Sequence, residues 1–502
     1  ADVTASYTTS GVAGLGDEAV TLNDTSLSAS ALNALDSVTS GTINAASVAA
    51  LAGSAADVTV SYASAGITGM GSSAVTLTDT TLAASVLIAL DGKTTGIINA
   101  SSVTTLTGSA AELAEAYAST GITGLGSSSN AFSGTTAAAA ELIALDASSA
   151  GVVDASSVLT LTGSATDVAT VYASVGIANL GDEAVILSGT AATAAHLNAI
   201  NAATTGTVNM ASILTVTGTL ADVTTMYSAT GFSGLGDEAI TLIDTSAAAL
   251  SLNSLDSRTI GAINASTVTT LTGTAAAVAT SYASSGITGL GNETVTLSGS
   301  TAAASDLNLI DVGTTVTVDA SAVTTLTGTA ADVATSYAST GITGLGNETV
   351  TLSGTTATAA DLNSINAGTS VTVNIGSILS VTGSVAELNT MYTQAGLVNR
   401  GTQALTLTDT SATAVALSSL DPRTTGTINA SSVLTLTGTA AAVATTYALS
   451  GITGLGSSAV TLSDTTLTAT ALNSLDTRTT GTINASTVTT LTGTAADVAT
   501  SY

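Results

Sequence analysis

Apolar and polar positions follow two alternating rhythms along the chain, and residues 331–385 show both. Val350-Thr-Leu352 alternates as a half-buried strand does. Thr355 or Thr356 is then placed to cap a short helix whose Ala359, Leu362 and Ile365 share one face. Asn366 closes that helix, and Val371-Thr-Val373 reads as a second extended segment. Ile378 to Thr382 reads as another strand, feeding Ser384 and a helix that carries Leu388 and Tyr392 four positions apart. A short segment with Leu397 follows Gly396. The pattern predicts two strand-turn-helix units of about 27 residues each, within the range of a solenoid coil.

The same pattern returns every 55 residues without insertion or deletion. Tyrosine marks the period, at Tyr7, Tyr62, Tyr117, Tyr172, Tyr227, Tyr282, Tyr337, Tyr392, Tyr447 and Tyr502. A fixed period of this length is the signature of a repeat architecture in which each unit buries its apolar face against its neighbours. The expected fold is therefore an α/β repeat solenoid stacked into an elongated rod. It comprises nine repeats, 1–55, 56–110, 111–165, 166–220, 221–275, 276–330, 331–385, 386–440 and 441–495, with a partial repeat at 496–502. Residues 1–502 read as one continuous array, excerpted from a longer chain. Glycine recurs in all nine repeats at the positions of Gly11, Gly16 and Gly53, as expected where backbone must turn or approach closely.

Composition narrows the function classes. The chain has 45% hydrophobic residues but only 8% charged and 2% aromatic, with no Cys or Trp and a single Pro. Regular apolar spacing argues for order rather than a disordered polar tract. Thirty-four acids against five Lys or Arg give a formal charge of −29, which disfavours nucleic acid and anionic membrane surfaces as partners. No apolar run approaches the roughly 18 residues of a membrane-spanning helix.

Candidate chemistry is sparse. The tyrosines read as a structural ladder, one amphipathic core residue per repeat with its ring buried and its hydroxyl at the rim. Four cations share one phase, each two residues after an aspartate: Asp91 with Lys93, Asp256 with Arg258, Asp421 with Arg423 and Asp476 with Arg478. They are expected at helix ends, near exposed carbonyls and the acidic edge of the next coil. Arg400 breaks the phase and replaces the Leu or Met of the other repeats, which marks repeat 8 as irregular. Asp17-Glu18, Asp182-Glu183 and Asp237-Glu238 read as solvated acidic turns. Structural calcium is the alternative, but it needs six to eight converging oxygens, and Ser-Ser replaces the pair in repeats 2, 3 and 9. Thr-x-Thr recurs, as in Thr105/Thr107, Thr160/Thr162 and Thr325/Thr327. It reads as strand threonine, with an outward ice-binding face as the alternative. His196 is the sole histidine, on a predicted helix, and there is no Cys nucleophile or phosphate-binding loop with Lys. The expectation is a chain without enzymatic activity, catalytic residues, metal ligands or cofactor.

The recurring Leu-Thr-Gly-Thr-Ala-Ala-Asp-Val, with Gly-Thr-Ile-Asn-Ala-Ser and Gly-Ile-Thr-Gly-Leu-Gly, resembles the Ala/Thr-rich repeats of very large secreted bacterial surface proteins, especially cyanobacterial ones. The resemblance spans the chain and is one of rhythm and composition. It implies an extracellular or cell-surface structural role in a surface layer, sheath or filament, with self-association and surface polysaccharide as partners. An adhesin spacer is the alternative it leaves open.

Overall fold

The computed structural model describes residues 2–502, so Ala1 lies outside the described residues. They form short strands and short helices, the helices of at most ten residues, and all the strand pairings described are parallel. The chain divides into two units, residues 1–242 with 258–262, and residues 243–257 with 263–502. Each is an α/β repeat solenoid built on the same plan.

In the first unit, the strands Ser26–Ser28, Ala50–Gly53, Ala74–Leu77, Ile98–Asn99 and Ile122–Thr123 lie side by side in that order. Leu27 pairs with Leu51, Leu51 with Val75, Val75 with Ile98 and Ile98 with Ile122. Paired strands are thus about 24 residues apart, fewer than the roughly 27 residues of one strand-turn-helix unit. Two such steps use 48 residues of the 55-residue period, and the seven left over accommodate an additional strand, Thr81–Ala83, just before the helix Ala84–Asp91. That strand opens the next sheet, pairing with Thr105–Gly108. The second unit repeats the plan, with Thr356–Thr358, Ser380–Gly383, Ala404–Leu407, Ile428–Asn429 and Ile452–Thr453 as one sheet.

The additional strand corrects one expectation. Thr355 and Thr356 do not cap a helix: Thr356–Thr358 is extended, and Thr358 caps Ala359–Gly368 by accepting from the Asp361 N–H. The helix runs past Asn366 to Gly368, and the second extended segment begins at Val373 rather than Val371; the other expected elements of that repeat form at Thr349–Leu352, Ser380–Gly383, Val385–Thr393 and Leu397–Val398.

Burial follows the two periods. Leu51, Val75 and Ile98 on the sheet are buried, as are Ala84, Leu87 and Leu90 of the helix, which packs on the strands Thr81–Ala83 and Thr105–Gly108. Alanine at the first helical position lets the backbone approach a strand glycine: a Cβ on Gly53 would stand 3.0 Å from the Cβ of Ala29. Strands of two to five residues offer few ladder bonds, and hydroxyls add to them. Ser73 and Ser128 donate to the Val48 and Val103 carbonyls of the preceding coil at 2.5 and 2.6 Å, as Ser458 does to Val433 at 2.6 Å. Thr68, Thr288 and Thr453 donate to Ile43, Ile263 and Ile428, each at 3.2 Å.

The repeats fall into two classes. Asp24, Asp79, Asp244, Asp409 and Asp464 share a position that is Gly134, Gly189, Gly299 or Gly354 in repeats 3, 4, 6 and 7. Asp79, Asp409 and Asp464 reach back one coil and accept the first N–H of a helix, from Ala55, Val385 and Ala440, each at 2.7 Å. Helices that follow the glycine have ten residues, as Ala139–Ser148 and Ala359–Gly368 do, against eight in Ala84–Asp91 and Ala469–Asp476. The longer helices pack closely on their predecessors, whereas Ala84–Asp91 and Ala414–Ser418 stand more loosely against theirs.

Replacing Ser128 with Ala removes a buried donor from the Val103 carbonyl and should cost about 1–2 kcal/mol in urea unfolding. Replacing the exposed neighbour Ser127 with Ala should cost almost nothing. Equal effects would show that the hydroxyl does not join the coils.

Candidate functional site

The polar groups that recur most regularly form a rung at each tyrosine. Tyr282 lies on the helix Ala275–Ala283, and eleven residues later Glu293 stands at the entry to the strand Thr294–Leu297. The turn between them carries Glu293 beneath the ring, where its carboxylate is fully buried. It accepts from the Tyr282 hydroxyl at 2.9 Å and from the Gly291 N–H at 2.8 Å. Tyr172, Tyr227 and Tyr337 donate in the same way to Glu183, Glu238 and Glu348 at 2.8, 2.9 and 3.0 Å. Tyr7 reaches Glu18 at 3.5 Å.

This overturns two expectations. The second acid is not solvated in two of the three Asp-Glu pairs: Glu183 and Glu238 are 1% and 0% exposed, while Glu18 is partly exposed. The tyrosine hydroxyl is not at the rim but points inward to that buried group. Where the acid is absent, the rung is rebuilt. Tyr62 and Tyr447 donate to the Met70 and Leu455 carbonyls at 3.2 Å, and Tyr117 donates to Asn130 Oδ1 at 3.0 Å. In repeat 8 the place is taken by Gln403, which accepts from the Gly401 N–H at 2.8 Å and leaves the buried Tyr392 hydroxyl without a partner. Tyr502 is exposed.

Burial foremost, and then the nearby carboxylates, push the phenols of Tyr172, Tyr227, Tyr282 and Tyr337 well above the ordinary range. Burial also raises Tyr392. Glu18, less enclosed than its counterparts, is held below its ordinary value chiefly by the Gly16 N–H.

The helix-end aspartates serve the next coil. Asp91 accepts from the Ser119 hydroxyl at 2.6 Å, and Ser119 Oγ in turn accepts from the Gly121 N–H at 3.0 Å. Glycine is required there, since a Cβ on Gly121 would sit 2.1 Å from Asp91 Oδ1. Asp256 takes the same place opposite Ser284 at 2.7 Å, and a Cβ on Gly451 would meet Asp421 at 2.1 Å. Asp476 closes the helix Ala469–Asp476. The cations lie apart from this bracket: Arg258 donates to Ser228 Oγ at 3.0 Å and Arg423 to the Ser419 carbonyl at 3.2 Å. The backbone N–H groups of Lys93 and Arg478 close the turns after their helices, on the Leu90 and Leu475 carbonyls. Arg400 turns back on the helix Val385–Thr393 and donates to the carbonyls of Met391, at 2.9 Å, and Gln394.

Threonine in Thr-x-Thr also faces its own scaffold. Thr162, Thr272 and Thr327 donate to the Ala137, Ala247 and Ala302 carbonyls of the preceding coil at 3.2–3.3 Å. His196 Nδ1 lies 3.4 Å from Thr166 Oγ1 on an adjacent helix. Among the described residues no group of three or more His, Cys, Asp or Glu converges as a metal site, and no helix is long and apolar enough to cross a membrane. The chemistry on view is hydrogen bonding between coils. Comparison with known protein families finds none that matches the chain, and comparison with curated proteins finds none similar to it.

Replacing Glu293 with Ala leaves the Tyr282 hydroxyl and the Gly291 N–H unmatched and opens a cavity. A loss of about 2–4 kcal/mol is expected, and Glu293→Ser should lose less, because serine serves at this place in three other repeats. Equal losses in urea unfolding would contradict the rung.

Alkali gives a second test. Folding favours the protonated phenol, so its contribution is whole below about pH 10 and is lost as pH rises through the higher folded value. Ultraviolet titration should show Tyr172, Tyr227, Tyr282 and Tyr337 ionising only as the chain unfolds. Ten tyrosines titrating together near the ordinary value in a folded chain would contradict it.

Proposed function

We propose that the chain is a structural component of the cell exterior, belonging to a filament, sheath or surface layer that forms by stacking and self-association of repeats. The observation that carries this reading is where the polar side chains are directed. Tyrosine, glutamate, helix-end aspartate and a recurring set of Ser and Thr hydroxyls at or beside the strands bond within the coil or to the coil beside it. A catalytic centre gathers unlike groups at one place, whereas these groups recur at fixed phase through nearly every repeat. The reading assigns no reaction to the chain.

High negative charge and the absence of cysteine accord with a soluble, disulfide-free material. The resemblance to secreted Ala/Thr-rich bacterial repeats gives the reading its location. The second threonine of Thr-x-Thr, engaged with a neighbouring carbonyl in Thr162, Thr272 and Thr327, is poorly placed to order water, which weighs against the ice-binding alternative.

Sedimentation and electron microscopy of the purified chain and of cell-surface material test the reading. It expects a continuous polymer whose axial repeat matches a whole number of coils. Chains that remain monomeric at every concentration, or isolated particles carrying a specialised tip, would contradict it.

A further inference from the structure

The two repeat classes leave different surfaces between their helices. In repeat 2 the helices Ala55–Ala63 and Ala84–Asp91 are splayed around a groove of about 230 Å³, lined by Thr59, Ser85, Val86, Ala89, Leu90 and Lys93. Grooves of about 200 and 420 Å³ lie at the same junction in repeats 1 and 9, the latter lined by Ala440, Ala444, Leu467 and Ala471 among others. All three belong to aspartate repeats. Val86 is 38% exposed, and its position holds Glu141, His196, Asp306 and Asp361 in the glycine repeats. The groove in repeat 2 is therefore apolar at a place where the other class is polar. Lys93, the only lysine in the chain, stands at its lip.

Two other aspartate repeats present the reverse shape. Leu250 and Val415 are the second residues of their helices, and they are 73% and 67% exposed. The same position holds Ser30, Ser85, Ala140, Ala195, Ser305, Ala360 and Thr470 elsewhere. One chain thus carries an apolar groove in repeat 2 and apolar projections in repeats 5 and 8, at the corresponding helix pair.

We infer that the groove of repeat 2 receives Val415 or Leu250 from a second copy of this chain, joining two copies side by side. This rests on the self-association proposed above and assigns its face. The exposed Leu250 and Val415 are the apolar projections this chain itself offers to such a groove, and Lys93 at the lip is a single positive charge against the 34 acids of the approaching copy. Repulsion between two chains of charge −29 opposes the approach. Salt screens charges beyond about 10 Å at 0.1 M, so association by an apolar insertion should strengthen as salt is raised.

The natural absence of cysteine allows a direct test with full-length chains. Ala89→Cys is mixed under mild oxidation with Val415→Cys, with Leu250→Cys, or with a control, Val175→Cys, whose side chain is fully exposed in the turn after the helix Ala165–Ala173. All substitutions are at exposed positions, and circular dichroism checks that each chain folds. At least one of the first two mixtures should form tenfold more of the mixed disulfide than the control. Yields no higher than the control in both would overturn the groove pairing, even if sedimentation shows that the chains associate. Chains that sediment as monomers throughout would overturn the self-association reading as well.

Discussion

Parallel pairing at a step of about 24 residues is the constraint on which the other features depend. A strand of two to five residues makes too few bonds to stand alone, so each coil needs the coils on either side. The composition follows from that need. Serine and threonine at strand ends supply hydroxyls to the preceding coil's carbonyls, as Ser128 does to Val103 and Thr288 to Ile263. Alanine at the start of the helices that face these glycines allows close approach, as of Gly53 to Ala29. Because two steps fall seven residues short of the period, from repeat 2 onward every second pair of consecutive helices is separated by three strands rather than two, as Ala55–Ala63 and Ala84–Asp91 are by Ile67–Thr68, Ala74–Leu77 and Thr81–Ala83.

Substitutions between repeats show how closely neighbouring coils are matched. A Cβ on Gly96 would stand 2.3 Å from the Ser73 carbonyl oxygen, yet Val316 and Val371 occupy that position in repeats 6 and 7. In both, glycine appears three residues earlier, where Gly313 and Gly368 lie against the rings of Tyr282 and Tyr337. The helix-end bracket varies as well, and Leu449 stands in the place of Ser119 while Asp421 is kept. Asp91 faces Ser119, but Asn201 corresponds to Ala229, and Asn366 is bonded to Gln394. Cations at the Lys93 position occur only in aspartate repeats, and acids at the Val86 position only in glycine repeats.

Much of the fold was legible because its periods are simple. The 55-residue tyrosine spacing, the alternation at Val350 to Leu352 and the capping serine at Ser384 lead to the observed elements. The 24-residue step was not legible. Halving a 55-residue period gives 27, and nothing in one strand's apolar pattern says which residue of the next coil it faces. Thr356–Thr358 was hidden because threonine serves a strand and a helix cap equally well. The buried glutamates had a signal that charge obscured. The first residue of each pair varies among Asp, Asn, Ser and Thr, while the second is confined to Glu, Gln and Ser. Only the second is asked to satisfy a buried partner.

If the coils depend on one another as this pairing requires, damage to one should spread to its neighbours and fade with distance. Hydrogen exchange on the full chain, with and without Leu326→Ala in the buried face of Thr325–Gly328, measures that directly. The amides of Thr301–Ala303 and Thr349–Leu352, which pair with that strand, should lose protection with it, while strands several repeats away keep theirs. Loss confined to Thr325–Gly328 and its own coil would mean that the repeats are independent, and the account would be wrong.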